Sequence, residues 1–342
     1  MVLKKKFSAS QFLDDCRKYD VTVIHYVGEL CRYLVSRPPR DNDRDHKIKL
    51  AYGNGLRKDV WKELNTRFNI PNVTEFYGAT EMPVGFINLT NKFGACGRLS
   101  PLLKMLVPVD LVKYDMEEQD LVRNEKGFAV RAKVGEPGLL IIKLTNVKGI
   151  TFEGYKGRTE ENQKKIFHDV FKKGDQFINT GDLFTVDKDY DMFFSDRIGD
   201  TFRWKGENVS TTEVSNILVE LDFIMDACVF GVLIPGCEGR AGMVALSLKS
   251  QGETTLTTHQ LATIIDHCKN NLGVYAWPRF LRIQKELEIT STYKQRKMAL
   301  VTEGFDPDKV KSTVYYLDCK TQTYKQIDKA TYAEICSGKI AM

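Results

Sequence analysis

The sequence predicts an α/β chain in three parts: a parallel-sheet region over residues 1–110, a β-rich region over 111–196 and a small α/β domain over 197–342. Strand-like and helix-like segments alternate at the start, which favours parallel strands joined by crossover helices. Short apolar runs broken by Gly, Pro and Asp follow, a pattern typical of an antiparallel sheet or small barrel. Capped helices and apolar strands return after residue 213.

Length, charge and cysteine content indicate a globular protein and argue against a nucleic-acid-binding or zinc-binding one. The chain of 342 residues is long enough for about two domains, at ~150 residues per domain. Its net charge of +5 permits weak attraction to anions but does not indicate a nucleic-acid-binding protein. The eight cysteines form no C-x-x-C pair and the five histidines no metal-binding pattern, which indicates a reducing compartment without a zinc site. No apolar stretch approaches the ~18 residues of a spanning helix, and the first residues lack the apolar core of a signal peptide.

The apolar pattern of the first region predicts three helices and three strands. The helices cover residues 10–19, 28–36 and 56–69, and the strands cover 21–27, 48–52 and 73–76. His25 lies inside the apolar 21–27 run, so we expect it to be a buried core histidine rather than a catalyst.

Two loops follow strands of this region, at the sheet edge where α/β proteins bind ligands. Their residues are Gly53, Asn54 and Gly55 in one, and Tyr77, Gly78, Ala79, Thr80 and Glu81 in the other. Glycine lets the backbone approach a ligand closely. Tyr77 offers an aromatic face, Thr80 a hydroxyl and Glu81 a carboxylate for a hard cation. Taken alone, each loop is an ordinary turn.

In the β-rich region we expect strands at 94–98, 105–113, 138–143 and 193–194, interrupted by a helix at 160–171. The sequence Asn179-Thr180-Gly181-Asp182 predicts a turn. An aspartate after such a turn can accept two hydrogen bonds from a vicinal diol, as ribose presents, and it is also a common turn residue.

The segment 196–213 mixes charged residues with spaced apolar ones. It predicts a turn, a strand at 201–204, a glycine turn at 205–206 and a helix capped by Ser210 or Thr211. A charged surface hairpin between two domains is the simplest interpretation. Further helices at 214–220 and 260–272, the latter capped by Thr257 or Thr258, and strands at 227–233, 243–249, 279–284 and 313–317 complete a small α/β domain.

The order of these motifs is more specific than any one of them. The sequence of Tyr77-Gly78-Ala79-Thr80-Glu81, Thr180-Gly181-Asp182, Asp196-Arg197, Lys205-Gly206-Glu207 and Lys294 is similar to that of adenylate-forming enzymes. The run I-G-D-T-F-R-W-K-G-E-N-V-S-T-T-E-V from Ile198 closely resembles the fatty acid transport protein / very-long-chain acyl-CoA synthetase family, over essentially the whole chain. The resemblance implies the remainder of a large parallel-sheet domain with a small β-barrel subdomain, followed by a small hinged C-terminal α/β domain.

The resemblance also implies an activity. The family reaction joins a long-chain or very-long-chain fatty acid to coenzyme A: the carboxylate and ATP form an acyl-adenylate and pyrophosphate, and the coenzyme thiol then displaces AMP. Magnesium accompanies ATP. Trapping fatty acids in this way would contribute to their uptake and to lipid metabolism.

Site residues carry over by motif. Lys294 matches the family's catalytic lysine, which contacts the α-phosphate and the carboxylate of the fatty acid. Thr80 matches a residue that contacts the α-phosphate, and Glu81 matches the magnesium ligand. The matching nucleotide-binding residues are Gly53, Asn54, Gly55, Tyr77, Gly78, Asp182 and Arg197. Asp200 matches the hinge, and the matching coenzyme-side residues are Arg203, Trp204 and Gly206. For Arg203 and Trp204, packing against the hinge is an equally good interpretation.

One family motif, a Ser/Thr/Gly-rich phosphate loop ending in Lys, does not occur in these residues. We therefore expect a truncated, C-terminal portion of the family protein with impaired catalysis, or else a non-catalytic isoform that binds nucleotide or regulates. An adenylation domain for amino or aryl acids is a third interpretation, against which the run from Ile198 argues. Membrane association at the endoplasmic reticulum, peroxisome or plasma membrane is expected through the missing part, with this region facing the cytoplasm.

Overall fold

The computed structural model describes residues 1–78, 84–116, 118–144, 165–250, 252–284 and 297–342. These residues form a mixed α/β fold, as predicted, in two compact units, Met1–Ser195 and Asp196–Met342. The three-part division of the chain stays a prediction.

The first unit opens with the predicted parallel sheet. Its helices are α1 (Phe12–Lys18), α2 (Gly28–Val35) and α3 (Lys58–Thr66), and its strands are β1 (Val23–Val27), β2 (Leu50–Asn54), β3 (Asn72–Tyr77) and β4 (Phe86–Ile87). Strands β1, β2 and β3 are parallel neighbours in that order, and β4 pairs antiparallel with β3. The carboxyl ends of the three parallel strands therefore share one edge.

The two faces of this sheet differ in burial. Four strand residues join a buried cluster with residues of α2 and α3, namely Ile24, Tyr26, Ala51 and Val73. On the other face Val23 and Tyr52 are 47% and 40% exposed, and His25 is exposed and stacks on Tyr52 with ring centroids 4.6 Å apart. The expectation of a buried His25 is wrong because β1 alternates between the two faces, so His25 falls on the uncovered one.

A second sheet fills the rest of the first unit. Its elements are β5 (Gly97–Arg98), α4 (Pro101–Leu106), β6 (Val109–Val112), β7 (Tyr114–Asp115), β8 (Asp120–Leu121), β9 (Gly138–Lys143), β10 (Ile166–His168), β11 (Gln176–Val186) and β12 (Asp191–Arg197). The strand order is β5-β12-β11-β9-β6, with β10 also paired to β11 and a separate β7–β8 hairpin. The β-rich prediction for this region is confirmed.

Two element predictions in this sheet need correction. The predicted strand 105–113 begins too early: residues 105 and 106 are the end of helix α4, which forms because the Ser100 hydroxyl accepts from the Leu103 N–H and Pro101 suits the first helical position. The predicted helix 160–171 begins outside the described residues, and its described part is wrong: Ile166–His168 pair antiparallel with β11. Pairing with the next strand along the chain, β11, has overridden the helical pattern there.

Strand β11 is the largest element that the sequence did not predict. The expected turn at residues 179–182 lies inside this strand of 11 residues. Its pairing with β9 shifts register between Asn179 and Leu183, and Gly181 has φ +76°, so the motif is a β-bulge rather than a chain reversal.

The second unit contains a five-stranded sheet and a short hairpin. Its elements are β13 (Phe202–Trp204), β14 (Glu207–Val209), α5 (Thr211–Leu218), β15 (Ile224–Val232), β16 (Ala241–Leu248), α6 (Thr258–Asn271), β17 (Phe280–Ile283), α7 (Lys297–Glu303), β18 (Val314–Asp318), β19 (Thr323–Gln326) and α8 (Lys329–Cys336). The sheet follows chain order from β15 to β19, with only the β16–β17 pair parallel. Ser210 caps α5 and Thr257 caps α6, as predicted. Among the described helices, none has the length and apolar character needed to cross a membrane.

Candidate active site

Three residues lie side by side across the parallel sheet, next to its carboxyl edge. Gly53 of β2 is opposite Tyr26 of β1 on one side and opposite Glu75 of β3 on the other. A Cβ on Gly53 would lie 2.6 Å from the Tyr26 ring, so the missing side chain leaves room for that ring to cross β2. The Tyr26 hydroxyl then donates to Glu75 Oε1 at 2.8 Å.

The Glu75 carboxylate holds the loop that follows β2. It accepts hydrogen bonds from the backbone N–H groups of Gly55 at 3.1 Å and Leu56 at 2.9 Å. Burial raises the pKa of Glu75 to about 7, while the hydrogen bonds from Tyr26, Leu56 and Gly55 oppose that rise. The predicted nucleotide residues Gly53, Asn54 and Gly55 are thus fixed at the sheet edge.

Tyr77 and Asp182, which are 105 positions apart in the chain, meet directly. The Tyr77 hydroxyl donates to Asp182 Oδ2 at 2.6 Å, and its ring packs edge-on against Phe184 with centroids 4.8 Å apart. Asp182 is 6% exposed. The structure therefore joins the predicted aromatic wall and the predicted ribose acceptor at the end of β3.

The β-bulge explains how Asp182 reaches this position. The Thr180 hydroxyl donates to the Leu140 carbonyl at 2.8 Å and accepts from the Asp182 N–H at 3.2 Å. Gly181 supplies the positive φ of the bulge, where a residue with a side chain would be strained. The motif re-aims one side chain within a continuous strand, which is a common use of a bulge.

Several predicted site residues cannot be placed. Thr80, Glu81 and Lys294 lie outside the described residues, and Gly78 is the last described residue before the first of these gaps. Within the described part of the chain, no group of three or more His, Cys, Asp or Glu side chains could hold a metal ion. Magnesium binding by Glu81 therefore stays a prediction.

The second unit begins with a buried aspartate that organises the turn after β12. Asp196 is 2% exposed and accepts from the Thr211 N–H at 2.6 Å and from the hydroxyls of Thr211 and Thr212 at 3.3 Å. The Asp200 N–H donates to the carbonyl of the exposed Arg197 at 3.0 Å. The candidate ribose arginine and hinge aspartate thus share one tight turn.

Lys297 ties this turn to α7. Its Nζ lies 3.1 Å from Asp200 Oδ2 and donates to the Thr211 hydroxyl at 3.1 Å. Lys297 is three positions beyond Lys294 in the chain. The sequence did not single it out, because it lies among several basic residues and its partners are distant in the chain.

The predicted coenzyme-side residues lie on the β13–β14 hairpin. Lys205 (φ +49°) and Gly206 (φ +85°) form its two-residue turn, and two positive φ angles are the type I′ geometry that suits such hairpins. Arg203 carries the carbonyl that accepts the Arg240 N–H at 2.6 Å. Trp204 is 1% exposed and belongs to the core of the second unit. Its position favours a packing role under the turn, and coenzyme contact stays a prediction.

Two matching family models cover most of the chain. One, described as AMP-binding enzyme, matches residues 1–147, and another, described as AMP-binding enzyme C-terminal domain, matches residues 213–294. The second match ends at Lys294.

The curated relatives carry a more specific name. Long-chain fatty acid transport protein 6 of Homo sapiens is 48% identical over 100% of this chain and 54% of its own length. Long-chain fatty acid transport protein 2 of Rattus norvegicus is 47% identical over 97% of this chain and 53% of its own. The chain therefore spans about half the length of the curated relatives it matches.

The solved structures agree on the fold. An anthranilate CoA ligase in complex with anthranoyl-AMP is similar with a TM-score of 0.65 at 18% identity, over 86% of this chain and 52% of that one. The fold is thus that of the adenylate-forming enzymes. The two family models together show that the chain belongs to the AMP-binding enzyme family, and its sequence is similar to those of the long-chain fatty acid transport proteins.

Proposed function

We propose that these residues form the adenosine side and the small domain of a long-chain or very-long-chain fatty acid–CoA ligase. The observation that carries the proposal is the contact of Tyr77 with the buried Asp182, 2.6 Å apart, at the end of β3. Because the two side chains touch, one nucleotide could place its base on the Tyr77 ring and its ribose diol on the Asp182 carboxylate. The names of the relatives, long-chain fatty acid transport proteins, support the fatty acid as substrate.

In the first half-reaction a fatty acid carboxylate oxygen attacks the α-phosphorus of ATP, and the bond to pyrophosphate breaks. Adenine would lie against Tyr77 and the backbone of Gly53, Asn54, Gly55 and Gly78, where glycine allows close approach. The ribose hydroxyls would donate to Asp182, and Arg197 would contact the same sugar. Charged acceptors of this kind form the stronger class of hydrogen bonds.

The charge that builds on phosphate needs cationic stabilisation. We assign this task to Lys294, with Thr80 contacting the α-phosphate. Bound Mg²⁺ would neutralise phosphate charge, and Glu81 is the residue proposed to hold it because a carboxylate suits a hard cation. These three assignments rest on the family resemblance.

In the second half-reaction the coenzyme A thiol attacks the acyl carbon and AMP leaves with the electron pair of the broken C–O bond. We propose that Asp200 is the hinge residue of the small domain. Arg203, Trp204 and Gly206 would lie on the side of the site where coenzyme A binds. The I′ turn supports this, since Lys205 and Gly206 place exposed backbone close to Arg203 on the same hairpin. We give Trp204 the task of holding that turn by packing.

ATP–pyrophosphate exchange on the purified chain, with magnesium and a very-long-chain fatty acid, tests the first half-reaction. We expect exchange above that of Lys294→Ala whenever adenylation takes place. Exchange equal in the two proteins would contradict adenylation by this chain.

A second candidate function is nucleotide binding without ligase activity, because the contact of Tyr77 with Asp182 would serve adenosine binding even where no adenylation follows. Under this second proposal the chain binds adenosine nucleotide and acts through binding or regulation. AMP binding without pyrophosphate exchange would favour it over the ligase.

We further propose that the protein acts at a membrane, where long-chain fatty acids partition, with these residues facing the cytoplasm. All eight cysteines are free thiols, which is typical of a reducing compartment. Fractionation of tagged protein among the endoplasmic reticulum, peroxisomes and plasma membrane, with protease protection, would test this.

A further inference from the structure

Glu75 is a buried charged group that no step above uses. It is 6% exposed, and its two oxygens accept three hydrogen bonds: from the Gly55 N–H at 3.1 Å, the Leu56 N–H at 2.9 Å and the Tyr26 hydroxyl at 2.8 Å. Two of these donors belong to residues 53–56, the end of β2 and the turn after it, which we call the 53–56 loop; the third comes from β1, on the other side of β2. A buried carboxylate at this position is costly unless its hydrogen bonds are made.

Close packing leaves this loop little freedom. A Cβ on Gly28, at the start of α2, would lie 1.8 Å from the Gly55 carbonyl oxygen, and one on Gly53 would lie 2.2 Å from the Tyr26 carbonyl oxygen. The backbone of the loop is therefore pressed against β1 and α2 on one side, and Glu75 satisfies its N–H groups from the other. Its shape depends on both.

We propose that Glu75 is a positioning residue, whose carboxylate presets the backbone of the 53–56 loop for adenine. The proposal rests on the proposed nucleotide role of this loop. Preorganisation of a binding loop lowers the cost of ordering it when the ligand arrives.

The surroundings of Glu75 make this device sensitive to pH. Among the residues that the structure describes, the titratable groups that face Glu75 are Tyr26 from β1, Cys31 from α2 and Cys96 just before β5, and none of these three carries a positive charge. Burial raises the pKa of Glu75 to about 7. A proton on either Glu75 oxygen would compete with the hydrogen bonds that this oxygen accepts from the loop or from Tyr26. We therefore expect the loop to loosen as pH falls below about 7.

The test compares wild-type protein with Glu75→Gln, Tyr26→Phe and a control, Glu63→Gln, which removes a carboxylate from the partly exposed side of α3. Hydrogen exchange of the peptide containing residues 55 and 56 reports the loop itself. Adenosine affinity from pH 6 to pH 8 reports the ligand. Adenosine is preferred to AMP because a phosphate titrates near pH ~6.

We expect wild-type affinity to fall up to about tenfold between pH 8 and pH 6, as the ionised fraction of Glu75 falls. Glu75→Gln should bind about tenfold more weakly at pH 8, show no such pH dependence and exchange faster in the loop. Tyr26→Phe removes a bond that lowers the Glu75 pKa, so its midpoint should move to higher pH. Glu63→Gln should match wild type.

Two results would overturn the proposal: unchanged loop exchange in Glu75→Gln, or equal pH profiles in Glu75→Gln and wild type. A different result would separate it from the proposed function. If Glu75→Gln loosens the loop but wild-type protein binds no adenosine, then the hold of Glu75 on the loop stands and the nucleotide role of this edge is contradicted.

Discussion

Two aspartate- or glutamate-centred motifs, one in each unit, hold candidate site residues in different ways. Glu75 is buried among Tyr26, Cys31 and Cys96, and backbone N–H groups and a phenol satisfy it. In the second unit Asp196 is likewise buried, but the neighbouring Asp200 has a side chain 38% exposed and pairs with Lys297. The first arrangement favours one loop geometry. The second includes an ion pair that solvent can replace at little cost.

This difference suits the proposed tasks. An adenine-binding loop benefits from a fixed shape, whereas a hinge must exchange its contacts between two domain orientations. A substitution in either region should therefore act on the unit that carries it.

Replacing the buried Trp204 should have the largest effect. Trp204→Ala removes a side chain that is 1% exposed, and we expect it to lower the free energy of unfolding by about 3–5 kcal/mol. Val274→Ala, at a site 60% exposed in the same unit, should cost under about 0.5 kcal/mol. Denaturant titration followed by hydrogen exchange should place the loss in the second unit. A loss centred on the first unit would contradict the place of Trp204 in the core of the second unit.

Gly28→Ala should come next. The new Cβ would lie 1.8 Å from the Gly55 carbonyl oxygen, a backbone atom that cannot move alone, so we expect a loss of at least about 1–3 kcal/mol in the first unit. Gly199→Ala is the matched control, because its Cβ would meet nothing within 4 Å. Equal thermal stability of the two variants would contradict the close packing of the loop.

Stability should depend on pH in opposite senses in the two units. In the folded protein the pKa of Glu75 is about 7, above its ordinary value of 4.5, so between these two pH values the folded state binds more protons than the unfolded state. The contribution of Glu75 to the free energy of unfolding therefore falls as pH rises from 4.5 to 7, by up to about 3 kcal/mol. In the second unit, the hydrogen bond from Lys325 lowers the pKa of Asp318 from 3.8 to about 2. The contribution of Asp318 to stability is therefore lost as pH falls from 3.8 to 2. Unfolding from pH 2 to pH 8 for wild type, Glu75→Gln and Asp318→Asn would check both signs.

The Asp200–Lys297 pair should give the smallest effect. A double-mutant cycle with Asp200→Asn and Lys297→Met should show a coupling of about 0.2–1 kcal/mol, because both side chains are partly exposed. A coupling above about 2 kcal/mol would mean that the turn is as firmly held as the Glu75 loop.

The sequence predicted the fold wherever local patterns decide the structure. Alternating strands and helices, the Ser210 cap and the 205–206 turn followed from periodicity and turn chemistry. The 179–182 turn failed, because N-T-G-D is a turn by composition and only pairing with β9 makes it a bulge.

The site was predicted less completely for the same reason. Tyr77 and Asp182 were named from motifs, but their contact joins positions 105 apart. Glu75 was missed, although one signal was present: in β3 it falls on the same buried face as Val73. A charged residue on the apolar face of a strand is a candidate for a structural or functional role.

We propose that Tyr77 and Asp182 together receive an adenosine nucleotide, Tyr77 through its base and Asp182 through its ribose. Calorimetric titration of wild type and Asp182→Asn with AMP and with 2′,3′-dideoxy-AMP tests it, because asparagine keeps an acceptor for Tyr77. We predict that Asp182→Asn weakens AMP binding about tenfold and leaves the dideoxy ligand unchanged, as only AMP has hydroxyls to donate. Equal affinity of wild type for the two ligands, or an equal loss for both in the variant, would contradict the claim.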